Sequence, residues 1–434
     1  MASETYRRAI PPERTQGPQP TSKVSERTIF NNCWISYGLP FHEAVAKHVA
    51  NTFGASRAYI LSSRTLANTT SALRDLEAAL EGRVAGVKMG LKAHTSWDDI
   101  LSMKRECEKA KVDVIITLGG GSLTDAAKML SLVLANDVNE PADFLAKLDV
   151  AKPDALSKSD GFVFTAKPPQ VPVICVPTTL SAGEYTFAAG ATEDATNKKY
   201  QFLTGEAIKL LVLDAALAAR TTPSNLWIMS GFRAIDHATE GYVSTLANAA
   251  TEDHAIAALK MLIPSLLRAH ADERGEDIEA RHLGQMGAIE AIASVFRIYT
   301  PCGASHAIGH MLGPFNVGHG ETSAILLPAV CTYNAARGAN TERQRALVDV
   351  LWDVEEVRAL MSKAGLDKDI GLGALLRALT RELGLPTSLK EVGVVGERVD
   401  QLAEFSLIDP WIVTNPVPLR EKKQVLELLQ PAIG

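Results

Sequence analysis

Short apolar, β-branched segments alternate with amphipathic stretches over the first half of the chain. The apolar segments cover residues 57–62, 84–88, 112–117, 171–176 and 210–214. Stretches with helical period lie over residues 66–80 and 97–110. Strands that alternate with helices predict a mostly parallel sheet. From about Thr221 no convincing strand follows, and long helical stretches cover residues 252–271, 280–296, 341–360 and 370–383.

A glycine run joins one predicted strand to the helix that follows it. Gly119, Gly120, Gly121 and Ser122 come directly after the apolar segment 112–117. Glycine lets the backbone approach a diphosphate closely, and the N–H groups of the helix start point at the anion. The run matches neither Walker A nor the G-x-G-x-x-G spacing. It predicts a nucleotide site, and a tight turn before a core helix is the alternative interpretation.

The two halves of the pattern predict two domains. We expect an α/β, Rossmann-like nucleotide-binding domain over residues 25–218 and an all-helical domain over residues 219–434, which carries the catalytic histidines. Residues 1–24 are polar and rich in proline, and we expect a flexible arm there. Residues 137–170 are polar and contain proline, which indicates a surface excursion.

Composition and charge exclude several classes of protein. The formal net charge of −6 provides no basic field, which argues against nucleic acid. No apolar run reaches the length that a membrane span needs, and the N-terminus lacks the apolar core of a signal peptide. The five cysteines are scattered without a CxxC pair, which indicates reduced thiols in the cytoplasm. We expect a small-molecule substrate and a homodimer, with neither nucleic acid nor membrane as partner.

One arginine and several histidines form a candidate catalytic cluster in the second half. Arg233 and His237 are four apart on a predicted helix and therefore share a face. His306 and His310 are also four apart, and His319 follows a glycine-rich bend. A single histidine is more often a core or surface residue. The set together, in a glycine-rich frame, favours an active site.

These segments resemble the iron-containing alcohol dehydrogenase superfamily. The resemblance rests on Gly-Gly-Gly-Ser-x-x-Asp-x-Ala-Lys at residues 119–128, on Pro-Thr-Thr at residues 177–179 and on the histidine segments. It implies the fold shared with dehydroquinate synthase, and cofactor contacts from the glycine loop, Asp125, Lys128, Thr178 and Thr179. It also implies metal-ligand positions at His237, His306 and His319, and a proton-relaying histidine at His310.

Two departures from the family pattern concern the metal. Arg233 stands where the family has an aspartate ligand, and the spacing from His306 to His319 is one residue shorter than the family's. A guanidinium cannot ligate a metal, and although three histidines can hold zinc, its fixed charge weakens binding. The short Pro-Thr-Thr loop resembles the maleylacetate reductase branch, which also lacks this aspartate and is thought to work without a metal. We predict little bound iron or zinc, with Arg233 as the electrophile that binds a carboxylate or polarises a carbonyl oxygen.

The predicted function is reduction, by NADPH or NADH, of a carbonyl or enone in a small, oxygenated or acidic substrate held in the cleft between the domains. His310 supplies the proton, and Arg233 and the other histidines stabilise charge. Ser63 and Arg64 stand where NAD-specific members often carry an aspartate. They suit a 2′-phosphate, unless they form only a strand-end turn. A lyase or isomerase on the same fold is the alternative. A binding protein is disfavoured because it would not need four convergent histidines.

Overall fold

The structure, a computed structural model, describes residues 3–14, 30–91, 95–151 and 164–434, except for the side chain of His319. The chain forms two compact units, the first ending at Thr222 and the second covering Pro223–Gly434. The strands are β1 (Thr5–Arg8), β2 (Trp34–Tyr37), β3 (Ala58–Ser62), β4 (Val84–Met89), β5 (Val114–Gly119), β6 (Val173–Pro177), β7 (Ala188–Thr192), β8 (Lys199–Leu203) and β9 (Ile208–Leu213). The helices of the first unit are α1 (Phe41–Asn51), α2 (Arg64–Thr69), α3 (Ala72–Ala79), α4 (Trp97–Ala110), α5 (Gly121–Ala135), α6 (Pro141–Lys147) and α7 (Ala215–Thr221).

Seven strands form the sheet of the first unit, in the order β1-β2-β9-β6-β5-β3-β4. β1 pairs antiparallel to β2, and the described pairs from β2 to β4 are parallel. Every residue of β3, β5 and β6 is buried, as in parallel strands covered by helices on both faces. From β4 the chain returns past β3 to form β5, so the strand order reverses between β3 and β5. Ligands of open α/β sheets bind at such a switch point, beyond the carboxyl ends of the strands.

The N-terminal segment departs from the prediction. The expected flexible arm over residues 1–24 is wrong for residues 5–8, because β1 is an edge strand of the sheet. Tyr6 stacks on Trp34 with ring centroids 4.6 Å apart, and the Glu4 carboxylate accepts hydrogen bonds from Ser36 at 2.5 Å and from Lys47. The rest of the arm beyond residue 14 lies outside the described residues. β2, with which β1 pairs, begins 26 residues beyond the end of β1, so no local sequence pattern predicts this strand.

Two predicted segments, residues 66–80 and 137–170, differ from the structure. The helix expected over residues 66–80 is divided into α2 and α3 by an extended residue at Thr70. The excursion over residues 137–170 contains helix α6, while its residues 152–163 lie outside the described part. All five cysteines are buried free thiols.

The described elements of the second unit are all helical. Its α-helices are α8 (Ser224–Val243), α9 (Ala249–Ala271), α10 (Ile278–Phe296), α11 (Ala304–Leu312), α12 (His319–Ala336), α13 (Thr341–Trp352), α14 (Glu355–Lys363), α15 (Leu372–Glu382), α16 (Glu397–Ser406) and α17 (Lys422–Leu429). The single helix expected over residues 341–360 is two, since the chain turns after Trp352. α8 packs on α9, α10 and α12, so the middle of α8 is buried on several sides. In the part of the chain that the structure covers, no helix has the length and apolar character needed to cross a bilayer.

Candidate active site

The predicted nucleotide residues of the first unit gather at one edge of the sheet. β3 ends before Ser63 and Arg64, β5 ends in the glycine run, and β6 ends before Thr178 and Thr179. The three strands are adjacent and parallel, with Ser62 beside Leu118 and Gly119 beside Pro177. Their carboxyl ends therefore meet at the switch point of the sheet.

The glycine run leaves room that side chains would fill. Gly119 has φ = +144°, and a Cβ there would lie 2.8 Å from Leu123 Cδ1. A Cβ on Gly120 would lie 3.3 Å from Thr179, and one on Gly121 would lie 3.1 Å from Ser181. Gly120 caps α5, whose first N–H groups have no acceptor within the helix. Free amides, hydroxyls and missing side chains at one helix start suit a diphosphate.

Asp125 and Lys128 hold this edge together from inside the protein. Lys128 is almost fully buried, and its ammonium donates to the carbonyl oxygen of Gly183, to Thr186 Oγ1 at 3.1 Å and to the carbonyl oxygen of Ala188 at 2.9 Å. Asp125 accepts from the N–H of Gly190 at 3.1 Å. Burial lowers the pKa of Lys128. Both residues, predicted to touch the cofactor, position the segment after β6 in this structure.

Ser63 and Arg64 form the start of α2. Ser63 Oγ accepts from the N–H of Leu66 at 3.2 Å, which is an ordinary helix cap. Arg64 is exposed, and its Nε lies 3.0 Å from where a Cβ on Gly90 would stand. A cation therefore lies at the ends of β3 and β4.

The predicted residues of the second unit come from three helices. α8 carries Arg233 and His237, α11 carries His306 and His310, and α12 begins at His319. The His237 and His306 ring centroids are 4.4 Å apart, and those of His306 and His310 are 6.4 Å apart. The structure therefore brings His237, His306 and His310 together, while the side chain of His319 lies outside its description. A Cβ on Gly320 would lie 2.2 Å from the carbonyl oxygen of Met229, so glycine is what lets α12 start against α8.

Arg233 is held on one side and faces His310 on the other. Nη1 donates to Ser323 Oγ at 3.1 Å and to Asp236 Oδ2 at 3.4 Å. Nη2 lies 3.5 Å from His310 Nε2. Burial, and next the positive charge of Arg233, lower the pKa of His237 well below its usual value. His237 therefore stays neutral near neutral pH.

His310 has a fixed orientation. Its Nδ1 lies 2.8 Å from Asp409 Oδ2, and the other oxygen of Asp409 accepts from the N–H of Trp411 at 2.9 Å. A carboxylate only accepts and a guanidinium only donates, so in the neutral ring Nδ1 carries the proton and Nε2 directs its lone pair towards Arg233. The Trp411 ring packs against His310 with centroids 5.5 Å apart.

Glu240, Cys302 and His306 offer ligand atoms within 4.8 Å of one another, and they are the metal-capable cluster among the described residues. The Glu240 carboxylate binds the start of α11, where it accepts hydrogen bonds from the backbone N–H groups of Gly303 at 3.0 Å and Ser305 at 2.8 Å. It also lies 2.8 Å from His306 Nδ1. Burial raises the pKa of the Cys302 thiol well above its usual value. In this structure the Glu240 carboxylate therefore caps the start of α11.

Comparison with known proteins identifies the family. Residues 40–215 match the family "Iron-containing alcohol dehydrogenase", and residues 227–433 match "Fe-containing alcohol dehydrogenase family, C-terminal". The chain belongs to the iron-containing alcohol dehydrogenase family. It is 37% identical to "Dehydrogenase FUM7" of Gibberella moniliformis over 92% of this chain and 96% of that protein. It is 30% identical to the "NAD-dependent methanol dehydrogenase" of Bacillus methanolicus over 70% of this chain and 73% of that protein.

Structural comparison agrees with the predicted fold class. The maleylacetate reductase of Rhizobium sp. strain MTP-10005 superposes with a TM-score of 0.70 at 24% identity, over 94% of this chain and 98% of that one. The predicted fold and family are thus confirmed. The chain is an oxidoreductase of this NAD(P)-using family, and the comparisons lend no support to a lyase or isomerase.

One of the family's metal ligands is missing among the residues present here. The aspartate position carries a guanidinium, which is bound to Asp236 and Ser323. Asp236 Oδ2 lies 3.2 Å from His306 Nδ1, on the side of the ring that Glu240 also contacts.

Sequence reasoning missed four residues of this cluster, namely Asp236, Ser323, Asp409 and Trp411. The sequence contains a signal for Asp236, because a carboxylate three residues after an arginine on a helix is a recognisable pair. Asp409 and Trp411 lie about a hundred residues beyond His310, on a short 3₁₀ turn. No local signal connects them to His310.

Proposed function

We propose that this chain reduces a carbonyl or enone of a small, oxygenated or acidic substrate with NAD(P)H and without a metal ion. The distance of 3.5 Å between Arg233 Nη2 and His310 Nε2 carries the proposal. This separation is long for a direct hydrogen bond, and it lets one substrate oxygen contact both nitrogens. An electrophile and a proton donor would then act on the same atom.

The cofactor would be held by the glycine run and by Thr179 and Ser181 at the edge of the sheet. When bound, NAD(P)H supplies a hydride, a proton with two electrons, to the carbonyl carbon or to the β-carbon of an enone. Arg64 supports NADP as the preferred form, because its guanidinium suits a phosphate better than a ribose hydroxyl. Ser63, as the cap of α2, provides a hydroxyl at the same place.

The second-unit residues would act on the oxygen that gains negative charge. The Arg233 guanidinium stabilises that charge through hydrogen bonds that strengthen as it develops. His310 enters in the imidazolium form, with Nδ1–H on Asp409, and gives its Nε2 proton to the oxygen. The neutral ring that remains is the form described above. The sum is substrate, NAD(P)H and one proton converted to NAD(P)⁺ and the alcohol or, from an enone, the enol, which tautomerises to the saturated carbonyl compound.

The decisive test is single-turnover oxidation of NADPH and NADH with glyoxylate, succinic semialdehyde and crotonaldehyde as carbonyl probes. Protein dialysed against EDTA should oxidise the cofactor in proportion to the alcohol or saturated product formed, with a slower rate when the transferred hydrogen is deuterium. Activity that vanishes on dialysis and returns with Fe²⁺ or Zn²⁺ would contradict the metal-free mechanism. Product formed without net oxidation of the cofactor would instead support the lyase or isomerase alternative.

A further inference from the structure

We propose that Asp236, with Ser323, is the positioning residue that holds the guanidinium of Arg233 towards His310. This assignment rests on the proposed function, because it concerns how the electrophile of that reaction is held. Asp236 Oδ2 contacts Arg233 and Ser323 and lies 3.2 Å from His306 Nδ1. Its effect on the reaction therefore passes through a neighbouring side chain, and a double-mutant cycle tests whether that neighbour is Arg233.

The side chains of Arg233, Asp236 and Ser323 contact one another. Ser323 Oγ donates to Asp236 Oδ2 at 2.6 Å and accepts from Arg233 Nη1 at 3.1 Å. Nη1 lies 3.4 Å from the same Asp236 oxygen. Both contacts of the guanidinium with this pair are made by Nη1, so the guanidinium is held at one nitrogen. Nη2 remains directed at His310 Nε2.

Burial of both charged groups restricts the orientation of the Arg233 side chain. Asp236 is fully buried on α8, and the Arg233 side chain is only 12% exposed. A carboxylate and a guanidinium that are both withdrawn from water each need the other as counter-ion. Arg233 has a long, flexible side chain, and the pair on one helix, three residues apart, restricts it.

The neighbouring helix is shaped around the guanidinium. A Cβ on Gly309 would lie 3.4 Å from Arg233 Nη1 and 3.0 Å from Thr322 Oγ1. Glycine at this point of α11 thus leaves space for the gripped nitrogen. Asp236, Ser323, Gly309 and His310 thus surround the guanidinium in a space that we call the slot. The slot is acidic at Asp236 and open at His310.

A double-mutant cycle tests the assignment. Asp236→Asn should lower the single-turnover rate with NADPH and the carbonyl probes roughly ten- to hundredfold, as expected when a catalytic group shifts by about 1 Å. It should leave NADPH affinity unchanged. In an Arg233→Ala background the same substitution should change the rate less than about twofold, since a positioning residue has no effect once its target is gone. An equal factor in both backgrounds would overturn the proposal.

A second measurement does not depend on turnover. Millimolar guanidinium chloride should raise the thermal midpoint of Arg233→Ala relative to sodium chloride, because the ion reoccupies the slot beside Asp236. The Arg233→Ala/Asp236→Asn protein should show no such rise, and a rise of equal size in both would overturn the proposal. Ser323→Ala is the milder variant if Asp236→Asn fails to fold, and the same cycle applies to it. Glu290→Gln is the matched control, a buried carboxylate on α10 paired with His254, and should leave the rate unchanged.

The two proposals fail in different ways. If Arg233→Ala turns over at the wild-type rate, the electrophile role in the proposed function is wrong, while guanidinium binding still reports on the slot. If Arg233→Ala is slow but Asp236→Asn keeps the wild-type rate, the proposed function stands and the positioning role is wrong.

Discussion

Asp409 provides the sharpest test of the proposed proton donor. Its two carboxylate oxygens have separate tasks, since Oδ1 accepts from the N–H of Trp411 and Oδ2 from Nδ1 of His310. In Asp409→Asn the amide oxygen is needed by the Trp411 N–H, so the amide N–H₂ faces His310. That contact requires an unprotonated Nδ1 and moves the ring proton to Nε2, where it meets the guanidinium of Arg233. The substitution therefore removes a carboxylate and also selects the wrong tautomer.

The size of the effect follows from the contact that is lost. The hydrogen bond between His310 Nδ1 and Asp409 Oδ2 is 2.8 Å long, and the Asp409 side chain is only 8% exposed. A hydrogen bond to a charged group is worth roughly 1.5–3 kcal/mol, and about 2 kcal/mol corresponds to about a thirtyfold change. The imidazolium form of His310 loses this stabilisation, so we expect single-turnover reduction to slow by about thirtyfold. NADPH affinity should not change, because the glycine run is untouched.

The assay is stopped-flow oxidation of bound NADPH by a saturating carbonyl probe, with cofactor affinity measured separately by fluorescence titration. Asp400→Asn is the matched control, an exposed acid on α16 that pairs with Lys422 and should leave the rate unchanged. Asp409→Asn should also add nothing to His310→Ala, which by itself should slow the reaction by roughly two to four decades. A wild-type rate in Asp409→Asn, or a further loss in the His310→Ala background, would refute the reasoning.

Three other outcomes are expected. Gly120→Val places a branched side chain against Thr179, at the proposed diphosphate position, and should abolish NADPH binding in calorimetry. Unchanged affinity would show that the glycine run is not the nucleotide site. The wild-type protein purified without chelator should hold little iron or zinc by elemental analysis, and Arg233→Asp should hold more; stoichiometric metal in the wild type, required for activity, would contradict this. Hydrogen bonds from Lys47, Ser36 and His48 outweigh burial and lower the pKa of Glu4 from 4.5 to about 2. The ionised Glu4 therefore stabilises the fold above pH 4.5, and this stabilisation is lost as pH falls towards 2. Glu4→Gln should lower the thermal midpoint at pH 7 but not near pH 2, and an equal deficit at both would show that charge is not the cause.

The amino-acid sequence by itself determined the two-part architecture and the residues at the sheet edge. Helical and strand periods are local properties, so α4 was predicted over the residues it occupies, and the glycine run was placed between a strand and a helix. The pairing of Arg233 with His237 and of His306 with His310 also follows from a single helical turn. That Arg233 replaces an acidic ligand is evident from the family pattern alone.

Only the tertiary structure decided which groups these residues face. Asp409 lies 99 residues from His310 along the chain, and Ser323 lies 90 residues from Arg233. Such contacts depend on how helices pack, which local periodicity does not encode. The same holds for Lys128, for which the family resemblance implied a cofactor contact. The buried ammonium must be paired where it lies, and its acceptors are carbonyl oxygens of the segment after β6, which folding brings within reach.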